Sequence, residues 1–219
     1  MSFILILWVL KRQMSPIKRR RMPSPEDLKK KLCRCIENAA QATSDFDLNP
    51  RVVLPEGRIL KPAAVLIAVT ESGQLILTKR AAHLKHHPGQ IAFAGGRKDD
   101  TDRELTHTAL REAEEEIGLD PTRATILGQL PCHDTITNYC VTPIVAMVPD
   151  DLTFRPEPGE VDEVFTVPLR HVLTPANYRI ESRDWRGQKR YYYTVPYGPY
   201  YIWGATARIL RAMAEVSTE

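Results

Sequence analysis

The sequence predicts an α/β (α+β) chain with one sizeable core, and three stretches carry that expectation. Residues 63–80 hold two short apolar runs around a Glu71-Ser72-Gly73 turn, the pattern of a hairpin whose strands are both central. From Arg103 to Gly118 strong helix formers alternate between an apolar arc and an acidic arc. Ile202 to Val216 reads as a closing amphipathic helix. At 219 residues and 43% hydrophobic composition the chain can bury such a core, and its length suggests one domain with appendages.

Residues 1–22 do not resemble the remainder and read as an extension outside the domain. Phe3 to Leu10 is apolar but shorter than the roughly 20 residues that span a bilayer, and it lacks the flanks of a secretory signal. Lys18-Arg19-Arg20-Arg21 follows. A surface anchor or a nucleic-acid partner are the alternatives; the favoured reading is an upstream start codon, with Met14 or Met22 the true beginning. Residues 23–60 form an N-terminal helix and arm. Ser24 caps a helix through Ala40 with Pro25 in its first turn, and Pro50, Pro55 and Gly57 mark the arm.

After the hairpin, Arg80 to Phe93 is a polar, basic loop containing Pro88-Gly89 that leads straight into Gly95-Gly96. Its Arg80, Lys85, His86, His87 and Gln90 are donors suited to phosphates and a base edge. Asp100, Thr101 and Asp102 are cap candidates for the acidic helix, and Gly118 is its stop. Beyond it, Thr125–Leu130 and Tyr139–Val148 read as strands, with Pro143 implying an edge or a bulge in the second. Val161–Val167 is a further strand, Pro168–Leu173 a short helix, and Trp185 with Tyr191–Val195 a late hairpin around Arg186-Gly187.

A net charge of +3 is too small to name a macromolecular partner, so no nucleic acid is expected, and no membrane unless the extension is real. The four cysteines, Cys33, Cys35, Cys132 and Cys140, show no CxxC pairing and read as reduced thiols of a cytoplasmic protein. A zinc site from Cys132, His133 and Cys140 matches no common ligand spacing. A homodimer is left open.

The acidic helix carries the chemistry. Leu105, Ala109, Leu110, Ala113 and Ile117 fall on one arc, with Glu112, Glu115 and Glu116 beside it. Glu112 and Glu116 have no Lys or Arg three or four residues away, so as a bare surface they repel. An acidic run alone reads as a solvated face. A double glycine just upstream, which lets backbone approach a ligand, turns the reading toward a hard divalent cation completed by substrate phosphate oxygens. Arg111, one turn before Glu115, can orient that carboxylate.

This stretch resembles the signature of Nudix hydrolases, in which a glycine and an upstream acid precede Arg-Glu-x-x-Glu-Glu-x-Gly in a loop-helix-loop. Here Gly96 is followed after five residues by Asp102 and after eight more by Arg111-Glu112-Ala113-Glu114-Glu115-Glu116-Ile117-Gly118. The usual form has Glu at the upstream acid and one residue fewer. The run Leu75 to Arg80, with His87-Pro88-Gly89-Gln90-Ile91-Ala92-Phe93-Ala94-Gly95-Gly96, resembles the extra signature of the coenzyme A (CoA) pyrophosphatase subgroup. That subgroup also shows the inserted residue and the GG-x-x-Asp-x-x-Asp run, here Gly95 to Asp102. Pro usually stands where this chain has Ala94. The likeness covers about residues 60–213.

The resemblance implies a mixed β-sheet sandwiched between helices over residues 61–214, and Mg²⁺- or Mn²⁺-dependent attack of water on a pyrophosphate. Glu112 and Glu116 would bind metal, Glu115 would serve as ligand or water-orienting base, and the Gly95 or Gly96 carbonyl would complete the shell. Arg111 would orient the acids; no fixed general base follows, Glu160 and Glu163 being candidates from outside the helix with a surface acid as the alternative for each. Arg80, His87, Gly89 and Gln90 would meet the adenosine or phosphates of CoA, cleaved to 3′,5′-adenosine bisphosphate and 4′-phosphopantetheine. ADP-ribose or a nucleoside triphosphate is the rival substrate, and a noncatalytic binding module the rival class.

Overall fold

The computed structural model describes residues 24–54, 56–185 and 187–217; the reading of residues 1–22 lies outside them. Helix α1 (Pro25–Asn38) starts on a complete capping box. Ser24 Oγ accepts the Asp27 N–H, and the Asp27 carboxylate accepts the Ser24 N–H. Its Leu28, Leu32 and Cys35 are buried in the main core, so the helix is part of the same folded body as residues 61–214.

Nine strands form one mixed sheet: β1 (Thr43–Ser44), β2 (Lys61–Thr70), β3 (Gln74–Arg80), β4 (Ile91–Ala92), β5 (Ala94–Arg97), β6 (Thr125–Gln129), β7 (His133–Asp134), β8 (Tyr139–Val148) and β9 (Val161–Pro168). The expected hairpin forms, but β2 and β3 pair only beside the turn, at Val69 and Leu75. Farther along the strands part. The segment 91–97 enters between them, β5 pairing with β2 and β4 with β3. The wedge sets Gly95-Gly96 against β2, and β9 takes the outer edge of β3.

Strand β8 runs parallel to β2 over its whole length. It is therefore internal, contrary to the edge position that Pro143 suggested. Pro143 lies opposite the break between β6 and β7, where its carbonyl accepts the Leu130 N–H and no amide hydrogen is needed from it. The expectation of four reduced thiols is also corrected. Cys132, just before β7, and Cys140 in β8 are joined by a disulfide with 5.6 Å between their Cα atoms. The bond removes the thiols from any zinc site, and His133 is held instead by Thr43 and Asp45.

Helix α2 (Leu105–Ile117) packs on one face of the sheet through Ala109, Ala113 and Ile117, against Ala64, Leu66, Ile76 and Ile144. The opposite face, with Ile67, Leu75 and Leu77, is covered by α1, α3 (Leu169–Val172) and α4 (Gly204–Val216). A two-stranded hairpin, β10 (Arg179–Trp185) and β11 (Gln188–Thr194), stands beside α4. The sheet is thus sandwiched between helices, as the resemblance implied. Among the described residues no helix is long and apolar enough to cross a membrane.

Candidate active site

Helix α2 begins at Leu105 rather than Arg103, and Glu104 at its N-cap makes no side-chain cap bond. Asp102, a cap candidate by sequence, has a different partner. Its buried carboxylate accepts from Arg111 Nε and Nη2 at 3.1 and 3.0 Å, and from the Asp99 N–H at 3.0 Å. Bidentate bonding to Arg111 holds Asp102 well below the usual carboxylate range, against the pull of burial. At the other end Gly118, with φ +69°, turns the chain and donates to the carbonyls of Ala113 and Glu114.

Arg111 is the hub of the acidic helix. Besides Asp102 it meets Glu112 at 2.9 Å and Glu115 at 2.8 Å, and it donates to the Arg97 carbonyl at 3.3 Å. One guanidinium thus ties the helix to the loop that follows the double glycine. The first glycine is sterically required, and the second leaves room for a carboxylate. Gly95 has φ +155°, and a side chain there would run into the backbone of Ala64 and Val65. A Cβ on Gly96 would lie 2.5 Å from the Glu112 carboxylate.

Glu116 is 4% exposed, and its Oε2 accepts the Gly95 N–H at 3.2 Å. Burial pushes its carboxyl up to about 8, and the charges of Glu112 and Glu160 push the same way; the Gly95 bond and Arg80 oppose. Glu112 is raised too, chiefly by burial, with Glu115 and Glu160 adding to it and Arg111 opposing. The helix C-terminus, itself the negative end of the dipole, adds to this excess. The site is a cluster of carboxylates, graded from buried Glu116 to exposed Glu115, built of hard oxygen donors. Among the described residues no three acidic, His or Cys side chains already converge as an ion's ligand set, since Arg111 holds Glu112 and Glu115. The donor chemistry and the raised carboxyls fit a hard divalent cation.

The two acids proposed from outside the helix are separated by the sheet. The Glu157 N–H donates to the Glu116 carbonyl, and the Ala81 N–H to the Glu160 carbonyl, which seats Glu160 where its charge is felt by Glu112 and Glu116. Glu163 lies on the other face with Phe165, and its Oε1 accepts the Tyr200 hydroxyl at 2.6 Å. That bond raises the Tyr200 hydroxyl. Glu163 is thus not placed to act on water at the acidic helix, which corrects its reading as a base.

The loop residues divide likewise. Arg80 Nη1 is 3.9 Å from Glu116 Oε1, so it faces the acidic site. His87, Gly89 and Gln90 line a pocket of about 620 Å³ on the α4 face, with Lys79, Glu163, Arg183, Tyr200 and Trp203. Sequence reasoning passed over Lys79, Arg183 and Trp203. The strand alternation offered one signal, since Lys79 must face away from Arg80; nothing in the sequence set Arg183 beside them.

A family model of the NUDIX domain matches residues 60–186. Nudix hydrolase NudL of Escherichia coli O1:K1 / APEC, described as uncharacterized, is 42% identical over 156 residues, 70% of this chain and 81% of its own length. The chain belongs to the Nudix hydrolase family. The NudL of Shigella boydii serotype 18 matches to the same extent. Solved structures overlap more loosely. A MutT protein from Methanosarcina mazei Go1 has a TM-score of 0.49 at 18% identity, over 75% of this chain and 97% of that one. RenU, a Nudix hydrolase from M. Smegmatis, has a TM-score of 0.43 at 23% identity, over 52% and 73%. As a Nudix hydrolase the protein acts on phosphorus-containing anhydrides, hydrolysing pyrophosphate bonds, and its family generally uses divalent metal ions. Its substrate is a small phosphate-containing molecule.

Proposed function

We propose that this Nudix hydrolase cleaves the pyrophosphate of CoA or a CoA derivative, giving 3′,5′-adenosine bisphosphate and 4′-phosphopantetheine or its acyl form. The observation that carries the reading is the loop after β3. Its residues resemble the CoA pyrophosphatase signature, and its two ends serve two places, Arg80 the acidic site and His87 to Gln90 the pocket on the other face. A substrate with a pyrophosphate between two sizeable ends suits such a division; an anhydride that is all phosphate at one end does not.

In this reading Glu112 and Glu116 hold Mg²⁺ or Mn²⁺, with Glu115 as ligand or water-orienting base and the Gly96 carbonyl completing the shell. The ion supplies Lewis-acid polarisation of the phosphoryl oxygens and a lowered pKa for bound water. Arg111 positions Glu112 and Glu115 from its anchor on Asp102. Glu160, whose charge is felt by Glu112 and Glu116, takes the proton from water, and Arg80, 3.9 Å from Glu116, meets a phosphoryl oxygen. His87, Gly89 and Gln90 contact the rest of the substrate. The protein acts in the cytoplasm, a location that the Cys132–Cys140 bond puts to the test by intact mass under non-reducing conditions.

Assay of CoA, ADP-ribose, dinucleoside polyphosphates and nucleoside triphosphates with Mg²⁺ and with Mn²⁺, with product identification, tests the proposal. CoA is expected to give the highest kcat/KM and the two products named. A higher kcat/KM for ADP-ribose or a triphosphate overturns the CoA reading while leaving the anhydride chemistry in place.

A further inference from the structure

The pocket on the α4 face is not part of the acidic site, yet it shares a strand with it. In β3, even-numbered Ile76 faces α2 and odd-numbered Leu75 and Leu77 face the main core. By the same alternation Arg80 turns to Glu116, and Lys79 turns to the pocket. Both residues lie at the end of β3 that the loop closes, where the Arg80 N–H donates to the Gln90 carbonyl at 3.0 Å. A molecule held at Arg80 reaches Lys79 by passing over that end.

The lining specifies a chemistry. Lys79 and Arg183 make no ion pair within 4 Å with any described residue; the cross-strand neighbour of Lys79 is Glu163, and that of Arg183 is another cation, Arg190. The Arg183 guanidinium is held over the Trp203 ring, 4.7 Å from its centre, which fixes its plane and leaves its N–H edge for an oxyanion. Glu163 is the one carboxylate lining the pocket, and the Tyr200 hydroxyl covers one of its oxygens. The first turn of α4, starting at Trp203, brings no acidic side chain. Two cations and an indole describe a phosphomonoester beside an aromatic base. They do not suit the neutral amides of a pantetheine arm.

We propose that this pocket is a recognition subsite for a 3′-phosphorylated adenosine, with Lys79 and Arg183 on the 3′-phosphate and Trp203 beside the base. The proposal rests on the reading of CoA as substrate and adds which end of CoA lies on which face. It makes Lys79 and Arg183 the residues that distinguish CoA from dephospho-CoA.

The test has two arms on the full chain. In the first, kcat/KM is measured for CoA and for dephospho-CoA in the natural protein and in Lys79→Ala, Arg183→Ala and Arg183→Lys. The ratio between the two substrates is expected to fall about tenfold in each alanine variant, the scale of one charge-assisted hydrogen bond, and less in Arg183→Lys. An unchanged ratio, with both substrates weakened alike, overturns the subsite. In the second arm, calorimetry compares adenosine 3′,5′-bisphosphate with 5′-AMP. The bisphosphate is expected to bind about tenfold or more tightly, to lose that margin in the alanine variants, and to bind more tightly in Glu163→Gln. Equal binding of the two nucleotides overturns the subsite whatever the activity shows. A protein that binds the bisphosphate selectively but leaves CoA uncut sinks the CoA reading and keeps the subsite.

Discussion

Arg80 and Lys79 are neighbours in one strand, and the surroundings they meet on the two faces of the sheet are opposite in kind. On the α2 face the side chains are acidic and mutually repulsive, with Asp102 and Glu116 buried, and Arg111 alone spans Asp102, Glu112 and Glu115. On the α4 face they are cationic and aromatic, and the pocket they line is open. The contrast assigns a cost to one face and a selection to the other. Desolvated carboxylates raise the free energy of the folded state unless a cation enters, whereas exposed cations beside an indole cost little when vacant. The two faces should therefore respond differently to mutation, metal and pH.

The largest effect is expected from Glu116→Gln. Loss of one hard anionic oxygen from the cation site should lower kcat about 10³-fold with Mg²⁺ while the circular dichroism spectrum is kept. Full Mg²⁺-dependent activity in this variant would remove the metal assignment. Next comes Arg111→Ala, which leaves the buried Asp102 without its cation. About 3 kcal/mol of stability in urea unfolding and about 10² in kcat should go together. Asp102→Asn should lose stability with a smaller loss of kcat, since Arg111 keeps Glu112 and Glu115; equal losses would mean that Asp102, not the hub, touches the chemistry.

A third prediction concerns pH. Glu116 is raised to about 8 in the folded chain, above its unfolded value near 4.5, so the folded state binds the extra proton. Its contribution is fully present below about 4.5 and is lost as pH rises through 8. The melting temperature of metal-free protein should fall across that window, Mg²⁺ should restore it at pH 8, and Glu116→Gln should flatten the slope. Asp102, depressed by Arg111, acts with the opposite sign, and its stabilisation is lost only as pH falls through its lowered value. A metal-free melting temperature that rises steadily from pH 5 to 8 in the natural protein would contradict the electrostatics of the α2 face. The smallest effect lies at the far rim. Replacing Cys132 and Cys140 by Ser should cost about 2.5 kcal/mol, from an eight-residue separation, and should leave kcat nearly as it was.

The sequence made one of these faces far more legible than the other. Spacing at 3.6 residues per turn placed Glu112, Glu115 and Glu116 on one helix edge, and the double glycine marked the close approach that Gly96 and Glu112 display. Local patterns also gave the hairpin turn, the Ser24 cap and the Gly118 stop. What local pattern could not carry was pairing between distant segments. Nothing near residue 91 announces that it will part β2 from β3, or that the Pro143 position falls opposite a gap between two strands. The disulfide depends on β7 folding back along β8, which neither cysteine encodes. Glu160 and Glu163 looked equivalent three residues apart, and only strand alternation and the Tyr200 bond separate them.

The stem of the loop after β3 has a further consequence. Backbone bonds between Arg80 and Gln90, and between Gly89 and Arg80, close its base; the Ala82 N–H is fastened to Asp162. Residues 83–88 lie beyond this clasp, where the Leu84 N–H donates to the Ala81 carbonyl and His87 and Pro88 line the pocket. They form a cassette: a graft of another length or charge in their place alters what the enzyme admits while leaving Arg80, Gly95 and Glu116 in register.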